Sequence, residues 1–341
     1  MLLAIIALIA GLAVLVWSAD RFIDGAVATA AYAGMPPLLI GMVVIGFGTS
    51  APEMLVSAIA AYQGNPALAL GNALGSNIAN IGLILGITAL LSPILVQRSV
   101  LRNEMPLLLG ITVVFTALIV DGDVSSMDAW IMIAVFAATM TYSVVSAMKK
   151  SREDSITHSS AVAQDDMVVV DGKAIKLSRR AALWWLVLGL VLLTASSRVL
   201  VYGAVTLATA FGVSDVIVGL TVVAIGTSLP ELAAAIAAVR KNEHDLALGN
   251  VVGSNMFNTL LVVGIAGAIK PMQVAGEVIV RDLPVMIGFT VVLFLMSISM
   301  KPASHGTAGR IGRTKGGALV GFWVLYTCYL VYVAFLQPLS R

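Results

Sequence analysis

Long runs of apolar residues, separated by short polar stretches, recur along the whole chain, and each is long enough to cross a lipid bilayer. The first run has neither a preceding basic region nor a small-residue cleavage site, so we expect it to stay in the bilayer as a helix. The chain is therefore predicted to be an all-α integral membrane protein with ten transmembrane helices. These helices are predicted near residues 2–19, 37–61, 67–91, 104–120, 127–147, 182–200, 214–239, 246–269, 283–299 and 316–336.

One part of this pattern occurs twice. Residues 41–87 return as residues 219–265, an offset of 178 positions (219 minus 41), and 20 of the 47 aligned pairs are identical. The identical positions are mostly Gly, Thr, Ser, Pro, Glu and Asn, and a polar group placed in hydrocarbon needs a partner. We infer that both copies contribute residues to one site, as in transporters that are built from internal repeats.

The repeat divides the chain into two halves of five predicted helices each. The first half comprises residues 1–148, the second comprises residues 182–341, and the polar segment 149–181 joins them. Because five is odd, the second half enters the membrane from the opposite face, which predicts an inverted repeat. The joining segment has too few apolar residues to bury a core of its own, so we interpret it as a linker.

Charged residues in the predicted connections indicate an orientation. The chain is 59% hydrophobic and 11% charged, with a net charge of +2. If the connections alternate between faces, 16 of the 20 Lys and Arg residues lie on the face of the linker and 4, including Arg198, lie on the other face. The positive-inside rule then predicts a cytoplasmic linker and two external termini in a cytoplasmic membrane. The basic residues are scattered, so no nucleic-acid partner is expected, and no feature indicates an oligomeric state.

The second helix of each half carries two hydroxyls and a carboxylate within about one helical turn. These residues are Thr49, Ser50 and Glu53 in the first copy, and Thr227, Ser228 and Glu231 in the second. A carboxylate at membrane depth is costly, so its presence in both copies indicates a functional site. Interfacial charges, by contrast, are the interpretation we favour for Asp20 and Asp24, which lie beside Arg21 near the end of the first predicted helix.

A proline directly precedes each glutamate, at Pro52 and Pro230. Proline inside a helix removes a donor and leaves a carbonyl one turn earlier without its partner. The released carbonyls are expected within residues 46–48 and 224–226. Because non-helical backbone is tolerated at membrane depth where it lines a cavity, a bound cation would satisfy these oxygens.

The third helix of each half carries a stripe of oxygen-bearing side chains at intervals of four residues. Its members are Asn72, Ser76 and Asn80 in the first copy, and Asn250, Ser254 and Asn258 in the second. The stripe is explained equally by ion ligation and by polar contacts that hold membrane helices together. The two glutamates favour ligation, since packing does not require a carboxylate. Asn77 and Asn255 lie off the stripe, and we expect them to cap or bond to a neighbouring helix.

The combined set of candidate ligands contains only oxygen donors. Such a set suits Ca²⁺ and Na⁺ and does not suit zinc, copper or an iron–sulfur cluster. His158, His244 and His305 fall in predicted loops without ligand spacing, so we predict neither a resident metal nor a cofactor. Two carboxylates balance one divalent ion or several monovalent ions. Because the empty pair would repel within a low-dielectric site, movement between states would require a bound ion, which favours obligatory exchange.

The motifs GTSAPE with GSNIAN, and GTSLPE with GSNMFN, resemble the two alpha-repeats of the calcium/cation antiporter superfamily, above all those of bacterial sodium/calcium exchanger family membrane proteins. The resemblance covers essentially the whole chain. It implies a transporter, not an enzyme, that exchanges Ca²⁺ for Na⁺ by alternating access, and it implies that Glu53 and Glu231 are the central cation ligands. Further ion contacts that it implies are Thr49, Ser50, Thr227, Ser228, Ser76, Ser254, Asn80 and the carbonyls of Gly46 and Ala224.

The chain departs from the family pattern at Asn258, where some members carry Asp. One possible negative charge is therefore missing, which leaves the cation set and the stoichiometry open. A Ca²⁺/H⁺ antiporter, or one for another divalent cation, is the alternative within the same fold. From different classes, a passive cation channel also uses oxygen-lined sites. An intramembrane hydrolase with paired carboxylates would not explain why the hydroxyls and the proline are duplicated.

Overall fold

The computed structural model describes residues 1–157, 168–170, 173–175, 177–211, 224–298 and 307–336. Within these residues, nine helices are long and apolar enough to cross a membrane. Helices α1 to α6 comprise Leu2–Ala33, Pro37–Tyr62, Pro66–Leu91, Val100–Ile119, Ser126–Thr157 and Arg179–Ala210. The short turn Ala224–Thr227 leads into α7 (Leu229–Arg240), and α8 to α10 comprise His244–Ile269, Val278–Ser297 and Arg313–Leu336. The tenth predicted helix, 214–239, is described only from residue 224, so the count of ten remains a prediction.

Helices α1 and α6 are much longer than the apolar runs that predicted them. Each has 32 residues and continues past the predicted ends at residues 19 and 200. The two helices pack closely where glycines leave room. A Cβ added at Gly203 would lie 2.7 Å from the Ala4 carbonyl oxygen, and one at Gly189 would lie 2.8 Å from the Phe22 Cα. Small residues at such crossings allow membrane helices to approach backbone to backbone.

Helices α2 and α8, which belong to different copies, also cross in direct backbone contact. A Cβ at Gly41 would lie 2.7 Å from the Leu246 carbonyl oxygen, and one at Gly249 would lie 2.5 Å from the Leu38 carbonyl oxygen. Gly41 and Gly249 of the duplicated motif thus have a packing role, as the alternative interpretation of the stripe expected, whereas a Cβ at Gly71 or Gly75 would meet no described atom within 4 Å. This crossing brings the polar residues of the two copies together.

Among the described residues, three pairs of short antiparallel strands accompany the helices. The all-α prediction did not include these strands. Strand β1 (Ile94–Gln97) pairs with β6 (Thr307–Ile311), and β2 (Asp123–Val124) pairs with β5 (Met272–Gln273). Both pairs join a connection of the first half to a connection of the second half. We call them the β1–β6 bridge and the β2–β5 bridge.

The third strand pair lies in the segment that we interpreted as a linker. Strands β3 (Val168–Val170) and β4 (Lys173–Ile175) pair, and α5 extends to Thr157. The signal for a hairpin is present in the sequence: Asp-Gly at 171–172 is a favoured two-residue turn between β-branched residues. The linker is therefore shorter than predicted and carries local structure.

Several contacts identify the end of the bundle at which the linker leaves α5 and enters α6; we call it the linker end. Tyr32 at the end of α1 donates to the Leu177 carbonyl at 2.7 Å, and Lys241 after α7 bonds to Asp24 of α1 at 2.6 Å. Gln97 of β1 donates to Asp245 at 2.5 Å. These contacts join connections that the charge pattern assigned to one face.

Candidate cation site

The two proline-containing helices differ in the structure, although their motifs are duplicated. Helix α2 continues through Pro52 without a break, whereas the second copy is interrupted at Ser228. The carbonyl that Pro230 leaves without its helical partner is that of Gly226, four residues earlier. The Ser197 hydroxyl of α6 donates to this carbonyl at 2.9 Å. The second copy thus satisfies a released carbonyl with a protein group.

The first copy has no counterpart to that hydroxyl in α1. The position that corresponds to Ser197 is residue 19 (197 minus 178), which is Ala19. Gly46 of α2 instead packs against the second copy, since a Cβ there would lie 3.1 Å from the Ser254 amide nitrogen. Ala224 begins the short turn before α7. That the carbonyls of Gly46 and Ala224 bind an ion remains a prediction.

Buried oxygens without a hydrogen-bond partner are concentrated in the predicted ligand set. Both carboxylate oxygens of Glu53 and the Oε2 atom of Glu231 are of this kind, and the two residues are 2% and 3% exposed. The hydroxyls of Ser50 and Ser254 and the Oδ1 atom of Asn258 share this property. A buried polar atom that lacks a partner costs free energy, so a group of them demands an explanation. A cation enclosed among these oxygens would supply one.

A hydrogen-bond chain links the copies beside the carboxylates. The Thr49 hydroxyl donates to the Ile45 carbonyl at 3.0 Å and lies 3.2 Å from the Asn250 Oδ1 atom. The Asn250 amide donates to the main-chain carbonyl of Glu231 at 3.3 Å. The Thr49 side chain also interacts with the Glu231 carboxyl group. Thr49 therefore contacts the second copy's glutamate although it belongs to the helix of Glu53.

The asparagines of α3 and α8 bond across the interface between the two copies. Asn77 donates to the Thr259 hydroxyl at 2.6 Å, and Asn80 donates to the Asn255 Oδ1 atom at 3.0 Å. The expectation that Asn77 and Asn255 bond to a neighbouring helix is confirmed. Because its amide nitrogen is engaged in this bond, Asn80 would present its oxygen to an ion.

The third helices widen into π-helical turns at the ends of their stripes. These turns comprise Asn80–Leu85 in α3 and Phe257–Val262 in α8. They occur at nearly equivalent positions of the two copies, and π-helical turns are frequent at functional sites. Asn80 and Asn258 are thus placed on locally widened backbone beside the carboxylates.

The two buried carboxylates interact electrostatically. The charge of Glu53 acts on Glu231, and Arg198 acts on Glu53. In a low-dielectric interior two like charges repel strongly, and neither is well solvated. A bound cation would remove both costs.

A cavity of about 230 Å³ reaches Glu53 from the end of the bundle opposite the linker end. We call it the access cavity. Its lining residues are Pro52, Glu53, Val56, Asn72, Thr194, Ser197, Arg198, Val201, Gly226, Thr227 and Pro230. A related groove between α1 and α7 lies nearer the linker end, is lined by Leu15, Asp20, Leu232 and neighbouring residues, and includes neither glutamate. Of these two cavities, as the described residues line them, the access cavity includes Glu53 and the groove includes neither glutamate.

Most predicted site residues lie together. Ser76 and Ser228 are buried, and Thr227 lines the access cavity. Sequence reasoning missed Ser197 and Arg198: both fall near the end of the predicted sixth helix, 182–200, and Arg198 was counted with the external connection that follows it. In the structure both residues lie inside α6. An arginine within an apolar run was the available signal.

The remaining predictions about charged residues have mixed outcomes. Asp24 bonds to Lys241 and the Asp20 carbonyl accepts from the same lysine, so these residues stabilise the linker end. Glu104 and Asp282 directly precede the α-helical segments Met105–Ile119 and Leu283–Ser297, and each ends a π-helical turn that begins the longer helix. His244 begins α8, and His158 and His305 lie outside the described residues.

Comparison with known proteins identifies relatives along the whole chain. The family model described as "Sodium/calcium exchanger protein" matches residues 3–145 and 181–332. The inner membrane protein YrbG of Escherichia coli (strain K12) is 38% identical, with 98% of each chain covered. The sodium/calcium exchanger MaX1 of Methanosarcina acetivorans is 30% identical, with 96% of this chain and 98% of the relative covered.

A solved structure has the same architecture. The sodium-calcium exchanger NCX_Mj, in a structure soaked with zero Na⁺ and Ca²⁺, superposes with a TM-score of 0.78 and 27% sequence identity. The match covers 95% of this chain and 98% of that chain. The helical membrane fold is thus shared over nearly the full length of both proteins.

Proposed function

Since the chain belongs to the sodium/calcium exchanger protein family, we propose that Glu53 and Glu231 form one cation site through which Ca²⁺ is exchanged for Na⁺ across a membrane. The protein is a multi-pass membrane antiporter, and both ions are its substrates. Ser50, Ser254 and Asn258 complete the site with oxygens from both copies. Thr49, Ser76, Asn80, Thr227, Ser228 and the carbonyls of Gly46 and Ala224 are the remaining candidate contacts.

The observation that carries this proposal is the group of buried oxygens that make no hydrogen bond within the described protein. They come from α2, α7 and α8, yet they belong to the residues that the duplicated motifs single out. Structural contacts alone would leave such atoms paired, as the Asn77 amide nitrogen and the Thr259 hydroxyl are. Hard oxygen donors with two negative charges suit Ca²⁺, and they suit Na⁺ in its place.

Exchange follows from the charge of the empty site. When no ion is bound, the carboxylates of Glu53 and Glu231 repel each other in a medium of low dielectric constant. One Ca²⁺ neutralises the pair, and so do several Na⁺ ions. The loaded site therefore passes through an occluded state more readily than the empty one, which couples the movement of one ion to the return of the other.

The access cavity supports alternating access. It opens the site towards the end opposite the linker end, whereas the groove nearer the linker end reaches neither glutamate. An inverted repeat would exchange these two arrangements between the halves. With the orientation favoured by the positive-inside rule, the linker is cytoplasmic and the conformation seen here faces outward.

Flux in proteoliposomes tests the proposed function. Purified protein is reconstituted, and Ca²⁺ uptake is measured with an outward Na⁺ gradient, with a proton gradient of equal size, and with none. We expect uptake with the Na⁺ gradient alone. Uptake that requires the proton gradient would assign the Ca²⁺/H⁺ alternative, and uptake that ignores every gradient would indicate a channel.

A further inference from the structure

Among the described residues that line the access cavity, two have ionisable side chains, Glu53 and Arg198. The remaining lining residues are apolar, hydroxyl-bearing or amide residues. Glu53 is the proposed ion ligand, whereas Arg198 has no role in that proposal. A positive charge beside a cation site is unexpected, because it opposes the binding of the substrate.

Arg198 lies within α6, and its side chain is exposed. It follows the first residue of the helix, Arg179, by 19 positions, which corresponds to about 28 Å at 1.5 Å per residue. Thr194 and Val201 lie one turn to either side and line the same cavity, so this face of α6 forms a wall of the cavity. A charge within a membrane-spanning helix requires water or a partner and indicates function by default.

The neighbouring residue fixes the position of this wall. Ser197 donates to the Gly226 carbonyl at 2.9 Å, which ties α6 to the turn before α7. Arg198 is thereby held at the cavity and does not lie in a mobile external connection. Its guanidinium interacts electrostatically with Glu53.

Arg198 nevertheless does not pair with the carboxylate. Both oxygens of Glu53 lack a hydrogen-bond partner, and the ion pairs found among the described residues do not include Arg198. The arginine therefore leaves the ligand oxygens available. It acts on the site through its charge at a distance.

We propose that Arg198 is a specificity-determining residue: a tethered cation in the access cavity that weakens Ca²⁺ binding from that face more than it weakens Na⁺ binding. The proposal rests on the exchange function proposed above. Coulomb repulsion scales with the charge of the ion, so Ca²⁺ experiences twice the repulsion of a single Na⁺. The corresponding position of the first copy is acidic: residue 20 (198 minus 178) is Asp20, which lines the groove nearer the linker end together with Arg240. Arg198 lines the access cavity and not that groove, so its effect is expected at one face.

A weaker affinity at the open face affects how readily Ca²⁺ leaves the site. Ca²⁺ that reaches the site from the linker end would be released into a cavity that disfavours it. Na⁺, with half the charge, would replace it there at a smaller penalty. Arg198 would therefore favour release of Ca²⁺ at the face opposite the linker end, while the two ion gradients set the direction of net exchange.

The test compares the apparent KM for Ca²⁺ at the two faces of the membrane. Right-side-out and everted vesicles are prepared, and orientation is determined from protease access to a tag inserted within residues 158–167. We expect Arg198→Gln to lower the KM for Ca²⁺ about tenfold at the face opposite the linker end. The half-saturating Na⁺ concentration at that face should fall about threefold, because Na⁺ has half the charge and the factor for Na⁺ is the square root of the factor for Ca²⁺. The KM at the linker face should change less than twofold.

Three further variants separate charge from packing. Arg198→Lys keeps the charge and should keep the wild-type values. Arg198→Met is a second neutral replacement and should behave as Arg198→Gln does, which guards against a folding defect of one variant. Arg180→Gln makes the same chemical change at the exposed start of the same helix and should have no effect.

An unchanged KM in both neutral variants would overturn the proposal, and so would an equal change at the two faces. If Arg198→Lys lowered the KM as far as Arg198→Gln, packing and not charge would be responsible, and the proposal would again be wrong. The proposed function fails separately, if the wild-type protein shows no Na⁺-dependent Ca²⁺ uptake.

Discussion

The Thr49 hydroxyl of the first copy lies 3.2 Å from the Asn250 Oδ1 atom of the second, and Asn250 in turn donates to the main-chain carbonyl of Glu231. This chain of contacts links the helix that carries Glu53 to the backbone position of the other glutamate. The geometry of the two carboxylates is thus set jointly by both halves of the protein.

The link predicts coupled effects of Thr49→Val and Asn250→Ala. Each should raise the KM for Ca²⁺ several-fold. The KM of the double variant should rise by less than the product of the two single-variant factors, and the difference should correspond to a coupling energy of about 1 kcal/mol. Thr88→Val is the control, because the buried Thr88 hydroxyl bonds only within its own helix, to the Ile84 carbonyl. Full additivity would show that the two residues act independently.

Replacement of either glutamate should abolish exchange. Glu53→Gln and Glu231→Gln each leave a single carboxylate to neutralise the two charges of Ca²⁺. Ca²⁺ uptake should therefore fall by roughly a hundredfold or more, which corresponds to about 3 kcal/mol of lost interaction between the ion and the site. Both variants should still insert in the membrane, as membrane fractionation can verify. Glu104→Gln, at another buried glutamate, should retain transport. A Glu231→Gln protein with normal uptake would remove that residue from the site.

Ser197 should matter more than the adjacent Ser196. Ser197→Ala deprives the Gly226 carbonyl of its donor, and we expect a loss of about 1 kcal/mol in stability and a slower exchange rate. Ser196→Ala removes only a bond to the Leu193 carbonyl within the same helix. Thermal unfolding in detergent and Ca²⁺ flux measure the two effects. Equal behaviour of the variants would contradict a specific role for the Ser197 bond.

Asn258→Asp should strengthen Ca²⁺ binding. The Asn258 Oδ1 atom is buried and without a partner, so a carboxylate there adds a third negative charge to the site. We expect the KM for Ca²⁺ to fall about tenfold, since ligand charge tunes calcium affinity, and the turnover to slow because release becomes harder. Asn65→Asp makes the same change at an exposed residue outside the site. An unaltered KM for Asn258→Asp would mean that the residue does not touch the ion.

The duplicated motifs made it possible to predict a candidate site from the sequence, because the same polar residues occur twice in a setting that disfavours them. Asn77 and Asn255 were expected to bond to neighbouring helices, and they do. Pairing between particular residues was not predictable: Thr49 with Asn250 depends on how α2 and α8 cross, and that crossing depends on glycine contacts between the copies.

Helix ends were the weakest part of the sequence interpretation. Apolar runs end at charged residues, so the predicted first helix ended at residue 19, before Asp20 and Arg21. The helix continues to Ala33 because its charges have partners: Asp24 bonds to Lys241, and Arg21 lies over the Trp185 ring at 5.5 Å. Such partners come from distant parts of the chain, and a local hydropathy pattern does not contain them.

The β1–β6 and β2–β5 bridges have a consequence for how the protein is made. Each bridge joins a strand from the first 148 residues to a strand from the second half, and the two lie in different connections. The two halves are thus held together by strand pairing, in addition to the peptide chain that links them. A gene divided between residues 157 and 168 would encode two separately translated pieces that hold all the strands of both bridges and, between them, every ligand of the site.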